Sequence, residues 1–145
     1  MKSIQLTLMT IVLAFASSFT FAQEMAGAEI TFEKEIHDYG KIEKDADGTC
    51  FFTFTNTGST PLLIETAIGS CGCTVPEWPR EPIAPGKSAE IEVKYKTNRV
   101  GLINKTVTIT SNATNAPQSV IRIKGEVLNP ADNPAEKPKG VPVQK

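Results

Sequence analysis

The sequence predicts an all-β domain, an antiparallel sandwich, and three observations carry that prediction. Apolar and polar residues alternate with period two along most of the chain, and turn-forming clusters interrupt the alternation at short intervals. No segment beyond the N-terminal apolar run shows the 3.6-residue period of a helix. Six or seven short strands in the 105 residues from Met25 to Asn129 point to a sandwich of immunoglobulin type, here taken as seven-stranded.

The clearest element is Glu90-Ile91-Glu92-Val93-Lys94-Tyr95-Lys96, where Ile91, Val93 and Tyr95 face one way and the charges the other. Lys105 to Thr110 repeats the plan with threonines outside, and Ser119 to Val127 sets Ile121 and Ile123 against Arg122 and Lys124. One wet face per strand is the pattern of an antiparallel sheet, and the β-branched and aromatic content suits it. Earlier strands are expected over Glu29 to Ile36, Thr49 to Asn56 and Leu62 to Ala67. In the second of these, Cys50, Phe52 and Phe54 share a face opposite Phe51, Thr53 and Thr55. Asn56-Thr57-Gly58-Ser59, Ala84-Pro85-Gly86-Lys87 and Asn112-Ala113-Thr114-Asn115 are the turns between strands. Glycine supplies positive φ, proline presets φ and Asn tolerates the left-handed region, so each cluster has a mechanical reason to turn.

The two ends read differently. Lys2, the uncharged run Ile4 to Phe21, and small residues Thr20 and Ala22 before Gln23 follow the grammar of a secretory signal peptide over residues 1–22. The expected product is exported, periplasmic or extracellular, with no membrane span after cleavage; no cysteine near the cut argues for a lipid anchor. From residue 130 to 145, Pro130, Pro134, Pro138 and Pro142 recur among small and charged residues. Such a segment buries too little surface to offset its ordering entropy and reads as a Pro-rich disordered tail. The domain is therefore expected over 25–129, and a domain near 100 residues buries roughly two-thirds of its unfolded surface without needing a disulfide.

Charge excludes some functions. Without Lys2 the chain carries 14 basic and 16 acidic side chains, interspersed, with no basic block. That balance argues against nucleic-acid binding and against an electrostatic hold on anionic membrane.

Several segments together resemble a known family. Asp38-Tyr39-Gly40-Lys41-Ile42, Phe52-Thr53-Phe54-Thr55-Asn56-Thr57-Gly58 and Pro61-Leu62-Leu63-Ile64 are followed by Ser70-Cys71-Gly72-Cys73-Thr74-Val75-Pro76, then Pro82-Ile83-Ala84-Pro85-Gly86-Lys87 and Ile123-Lys124-Gly125-Glu126-Val127. The order resembles a family of exported bacterial proteins of unknown function, frequent in Bacteroidetes, whose hallmark is the Ser-Cys-Gly-Cys-Thr motif. That family is similar to the immunoglobulin-like domains of major sperm protein, the PapD-type chaperones and the ASH and hydin modules. The resemblance implies a sandwich used for binding or assembly, without enzymatic activity, catalytic residues or cofactor.

The chemistry on offer is sulfur chemistry. Cys71 and Cys73 flank Gly72, and four readings stand open: a bridge between the two across a glycine turn, a bridge from Cys50 to one of them, buried inert thiols, or a redox or copper site. A two-residue spacing in extended chain sits at the upper edge of bridge geometry, and glycine permits the turn that shortens it. Copper would take the two thiolates, with Cys50 as an optional third donor; closed zinc sites want four ligands, and beyond the three cysteines only His37 could add one. Redox catalysis usually needs a cation or helix N-terminus beside the thiol, and Arg80 is the nearest cation in sequence. His37 is expected at a strand end on the surface, without a catalytic role. Trp78, in the Pro-rich loop Val75 to Pro82, either caps the sandwich or anchors a partner, capping being the favoured reading. The functional expectation is an exported, non-enzymatic binding or structural module for a protein partner in the cell envelope. The alternative is a thiol-redox or copper-binding protein built on the Cys-Gly-Cys motif; a PapD-type chaperone ranks below both.

Overall fold

The computed structural model describes residues 27–129. The expected signal peptide and Pro-rich tail lie outside them, as do Met25 and Ala26 of the expected domain. Eight strands form two sheets of four, and the fold is all-β and immunoglobulin-like. Sheet one runs in the order β1 (Ile30–Phe32), β3 (Thr49–Asn56), β6 (Ser88–Tyr95), β5 (Thr74–Glu77). Sheet two runs β2 (Ile36–Glu43), β8 (Gln118–Leu128), β7 (Gly101–Ser111), β4 (Ile64–Gly69). No helix of the described residues is long and apolar enough to cross a membrane.

Alternation builds the core directly. Phe52 and Phe54 from β3 and Ile91 and Val93 from β6 meet Val107 and Ile109 from β7 and Ile121 and Ile123 from β8, all essentially inaccessible. Removing that area from water is the main stabilising contribution, at about 25 cal/mol per Å² of apolar surface.

Three expectations change. The segment Glu29 to Ile36 is not one strand but the end of one and the start of another, because its continued alternation would bring Lys34 inward beside Ile30 and Phe32. The chain instead leaves sheet one after Phe32, crosses at Glu33-Lys34-Glu35 and enters sheet two as β2. Crossing without reversing direction makes β2 parallel to β8, the one departure from the expected antiparallel plan among the strand pairs described. The crossing and a strand overlapping the supposed loop Val75 to Pro82 raise the six segments named from the sequence to eight strands, where seven were expected. That added strand, β5, tolerates Pro76 because it is an edge strand, where one side of the backbone has no partner.

The β2–β8 register shifts between Asp38 and Lys41, so Tyr39 and Gly40 bulge opposite Gly125. Gly125 has φ of +149°, and a Cβ there would stand 2.9 Å from the Gly40 carbonyl oxygen and 3.0 Å from the Tyr39 Cβ. Gly125→Ala is therefore expected to cost about 1–3 kcal/mol, read as a lower urea midpoint with an unchanged slope.

Candidate functional site

Three loops meet at one end of the sandwich: 44–48, 70–73 and 96–100. The Thr97 hydroxyl donates to the Ala46 carbonyl at 2.6 Å, and the Asp45 amide donates to the Thr97 carbonyl at 3.3 Å. The Lys96 amide donates to the Cys73 carbonyl at 2.9 Å, and the Ser70 amide to the Thr106 carbonyl at 2.8 Å. The Cys-Gly-Cys turn is thus held from both sheets.

The turn itself is closed by the Thr74 amide, which donates to the Cys71 carbonyl at 3.1 Å. Gly69, just before it, packs so closely that a Cβ would overlap the Thr74 carbonyl oxygen. Cys71 and Cys73 are joined as a disulfide with Cα atoms 5.2 Å apart, shorter than the extended spacing because of the turn. The Cys73 amide donates to Cys71 Sγ at 3.3 Å, and the Thr74 hydroxyl oxygen lies 3.5 Å from the same sulfur. Both cysteines are partly exposed, in an open depression of about 320 Å³ that Gly72, Lys96, Asn98 and Arg99 also line.

Those two cations are what sequence reading missed. Arg80, the nearest cation along the chain, is committed elsewhere: its guanidinium carbon sits 3.8 Å from the centre of the Trp78 ring. Lys96 and Arg99 come from a loop more than twenty residues away, brought back to the motif by the pairing of β6 with β5, and no signal in the sequence marked them. Neither is in an ion pair among the described residues.

Cys50 takes no part in the bridge. It is buried and unpaired on β3, opposite Val93, with β6 lying between it and β5. Burial pushes its thiol above the usual cysteine range, which keeps it protonated and unreactive. Among the described residues no three His, Cys, Asp or Glu side chains gather in a way that would hold a metal ion. The copper reading offered Cys50 only as an optional third donor; Cys50 stands apart on β3, and Cys71 and Cys73 are joined to each other.

His37 stands near the start of its strand, as expected, but is half-buried rather than on the surface. It lies on β2 opposite the buried Ile123, with its ring 4.6 Å from that of Tyr39 and 6.4 Å from that of Phe52. Burial, then Lys34, lowers its pKa, against a smaller opposing effect of Asp38. Tyr39 donates its hydroxyl to the Gly48 carbonyl at 2.6 Å, and burial holds its pKa far above the ordinary tyrosine value. Tyr39 and Cys50 thus both have raised folded values. Their contribution is complete below the ordinary 9.0 and 10.0 and is lost as pH climbs past them. Thermal unfolding between pH 7 and 11 is expected to show a falling midpoint above about pH 9, shallower in Tyr39→Phe.

Trp78 is half-buried against the core, and its Nε1 donates to the Ile64 carbonyl at 3.2 Å. With Phe51, Glu77, Glu90 and Glu92 it borders a second shallow depression, acidic, on the outer face of sheet one.

A family model described as "Protein of unknown function (DUF1573)" matches residues 30–127. The chain belongs to that family. Among solved structures, a DUF1573 chain such as this one is similar to a protein of unknown function from Porphyromonas gingivalis W83, at 18% identity and TM-score 0.63 over 74% of this chain and 51% of that one. The ASH / PapD-like domain 7 of human CEP192 aligns at 7% identity and TM-score 0.55, over 71% and 87%. The YadV chaperone aligns at 13% and 0.52, over 74% and 56%. The VesB protease of Vibrio cholerae aligns at 13% and 0.57, over 68% of this chain but 32% of the protease. The chain thus spans about half the length of the P. gingivalis protein and a third of VesB. At these identities the likenesses establish the fold, a sandwich of the PapD-like, immunoglobulin-like kind. No curated protein matches the sequence.

Proposed function

We propose that this DUF1573 chain is an exported, non-enzymatic binding module that docks an extended segment of a cell-envelope protein along strand β4, in the periplasm or outside the cell. The observation that carries the reading is the state of the four sheet edges. An edge strand offers unpaired N–H and C=O groups to an added strand unless something blunts it. β1 has three residues, β5 has four including Pro76, and β2 is bulged at Tyr39-Gly40 and flanked by Asp38 and Lys41. β4 is different: Trp78 takes the Ile64 carbonyl at one end and Gly69 abuts Thr74 at the other, but between them Thr66 to Ile68 keep a regular register with β7, and Ile68 is 64% exposed. Ile68 stands in register with Thr108, and Thr108 with Val120, itself 51% exposed, so two exposed apolar side chains share the outer face of sheet two with a threonine between them.

The chaperone named among the similar structures lends the reading support by fold alone. The expected occupant is a strand with alternating apolar side chains, one of which packs beside Ile68 on the outer face of sheet two. The test is capture from a cell-envelope extract by immobilised wild type and by Ile68→Lys, with photo-crosslinking from position 68. A partner crosslinked at 68 and lost in Ile68→Lys supports the reading. Equal capture by both, with no crosslink, overturns it.

A further inference from the structure

The geometry points to a second activity, independent of the β4 edge: the Cys71–Cys73 bridge is a thiol–disulfide exchange site that oxidises cysteine thiols set among acidic side chains. Four observations converge. The bridge is partly exposed rather than buried, and accessible disulfides are the ones open to attack by thiolates. Lys96 and Arg99 line the same depression without ion pairs among the described residues, so an incoming thiolate and neighbouring carboxylates meet positive charge. The backbone holds the turn from both sheets, so the cations and the bridge keep their relation. The third cysteine is buried on another strand and offers no competing partner.

The two sulfurs are not equivalent. Cys71 Sγ has the Cys73 amide at 3.3 Å and the Thr74 hydroxyl at 3.5 Å, whereas Cys73 Sγ lies 3.9 Å from that hydroxyl. Donors aimed at a sulfur stabilise it as thiolate, and the better-stabilised thiolate is the better leaving group. A partner thiolate therefore attacks Cys73 Sγ, the bridge opens, and Cys71 leaves as thiolate. A mixed disulfide then joins the partner to Cys73. A second partner thiolate attacks the partner sulfur of that bond and releases Cys73. The partner dithiol gives up two electrons and two protons and becomes a disulfide; the bridge takes them and becomes two thiols.

The test uses the exported chain with two reduced probe peptides under exclusion of oxygen, each with two cysteines, flanked by Glu in one and by Lys in the other. Mass spectrometry after alkylation counts thiols on both species. The acidic peptide is expected to be oxidised stoichiometrically while two thiols appear on the protein, at least about tenfold faster than the basic peptide. Lys96→Glu with Arg99→Glu is expected to invert that preference, and Cys50→Ala to leave it unchanged. Cys71→Ser, presented with the disulfide-linked dimer of a single-cysteine acidic peptide, is expected to form a mixed disulfide at Cys73 and release one peptide as the thiol. Circular dichroism of each variant separates loss of fold from loss of exchange. No reduction of the bridge by either peptide in the folded protein overturns the site; equal rates for the two overturn the substrate class. Both outcomes are distinct from the capture experiment at β4, which reads no thiol.

Discussion

Asn56→Ala is expected to be among the most destabilising substitutions in this domain, although the position looks in sequence like an ordinary turn. Asn56 is completely buried. Its Nδ2 donates to the Thr60 carbonyl at 2.8 Å and the Ile83 carbonyl at 2.9 Å. Its Oδ1 accepts from the Gly58 amide at 3.0 Å and, more weakly, the Glu29 amide at 3.4 Å. One side chain thus ties together the turn after β3, the residue before β1 and the segment that leads to Gly86. Alanine would strip all four backbone groups of this partner. The Ile83 carbonyl keeps the Leu62 amide, and the Thr60, Gly58 and Glu29 groups are partly buried. Water therefore offsets part of the about 1–3 kcal/mol that each buried unsatisfied group costs. A loss of about 2–4 kcal/mol is expected, a large share of the roughly 5–15 typical of a domain. Urea denaturation followed by tryptophan fluorescence reads it through Trp78; a loss below about 1 kcal/mol would show that the network relaxes onto water.

Phe52→Ala and Phe51→Ala, adjacent in sequence, are expected to differ several-fold in cost. Phe52 is 0% exposed between the sheets, and its ring neighbours include His37. Its truncation leaves a cavity that close-packed neighbours fill only in part, at about 3–5 kcal/mol. Phe51 is 46% exposed on the outer face opposite Glu92, and its loss is expected to cost under about 1 kcal/mol. The pair is a direct test of register, because a one-residue slip of β3 would exchange the two results. Equal costs would mean that the strand does not sit as described.

Much of the fold was legible because a strand's two faces are written in alternate residues. β3, β6 and β8 stand close to where the alternation places them, and Ile91, Val93, Ile121 and Ile123 point inward as their spacing requires. β2 was not legible. Its run Ile36-His37-Asp38-Tyr39-Gly40-Lys41 mixes charge with half-buried rings, and a bulge breaks the period that pattern reading depends on. β5 was hidden by Pro76, which reads as loop until the strand is known to lie at an edge. The candidate site was legible in half: the two cysteines and the glycine between them are adjacent in the chain, and their spacing already permitted a bridge across a turn.

The chain's own order of residues determined that two layers of strands would close over an apolar interior, and where the two neighbouring cysteines would lie. Tertiary structure alone decided which groups surround them. Lys96 and Arg99 reach the depression because β6 pairs with β5 and carries the following loop back to the motif. Cys50 is separated from the bridge by that same β6, though nothing in its spacing said so. Periodicity reports which way a side chain points within its own strand, since that depends on local backbone geometry. It does not report which strands become neighbours, because pairing is settled by the joint burial of faces far apart in the chain.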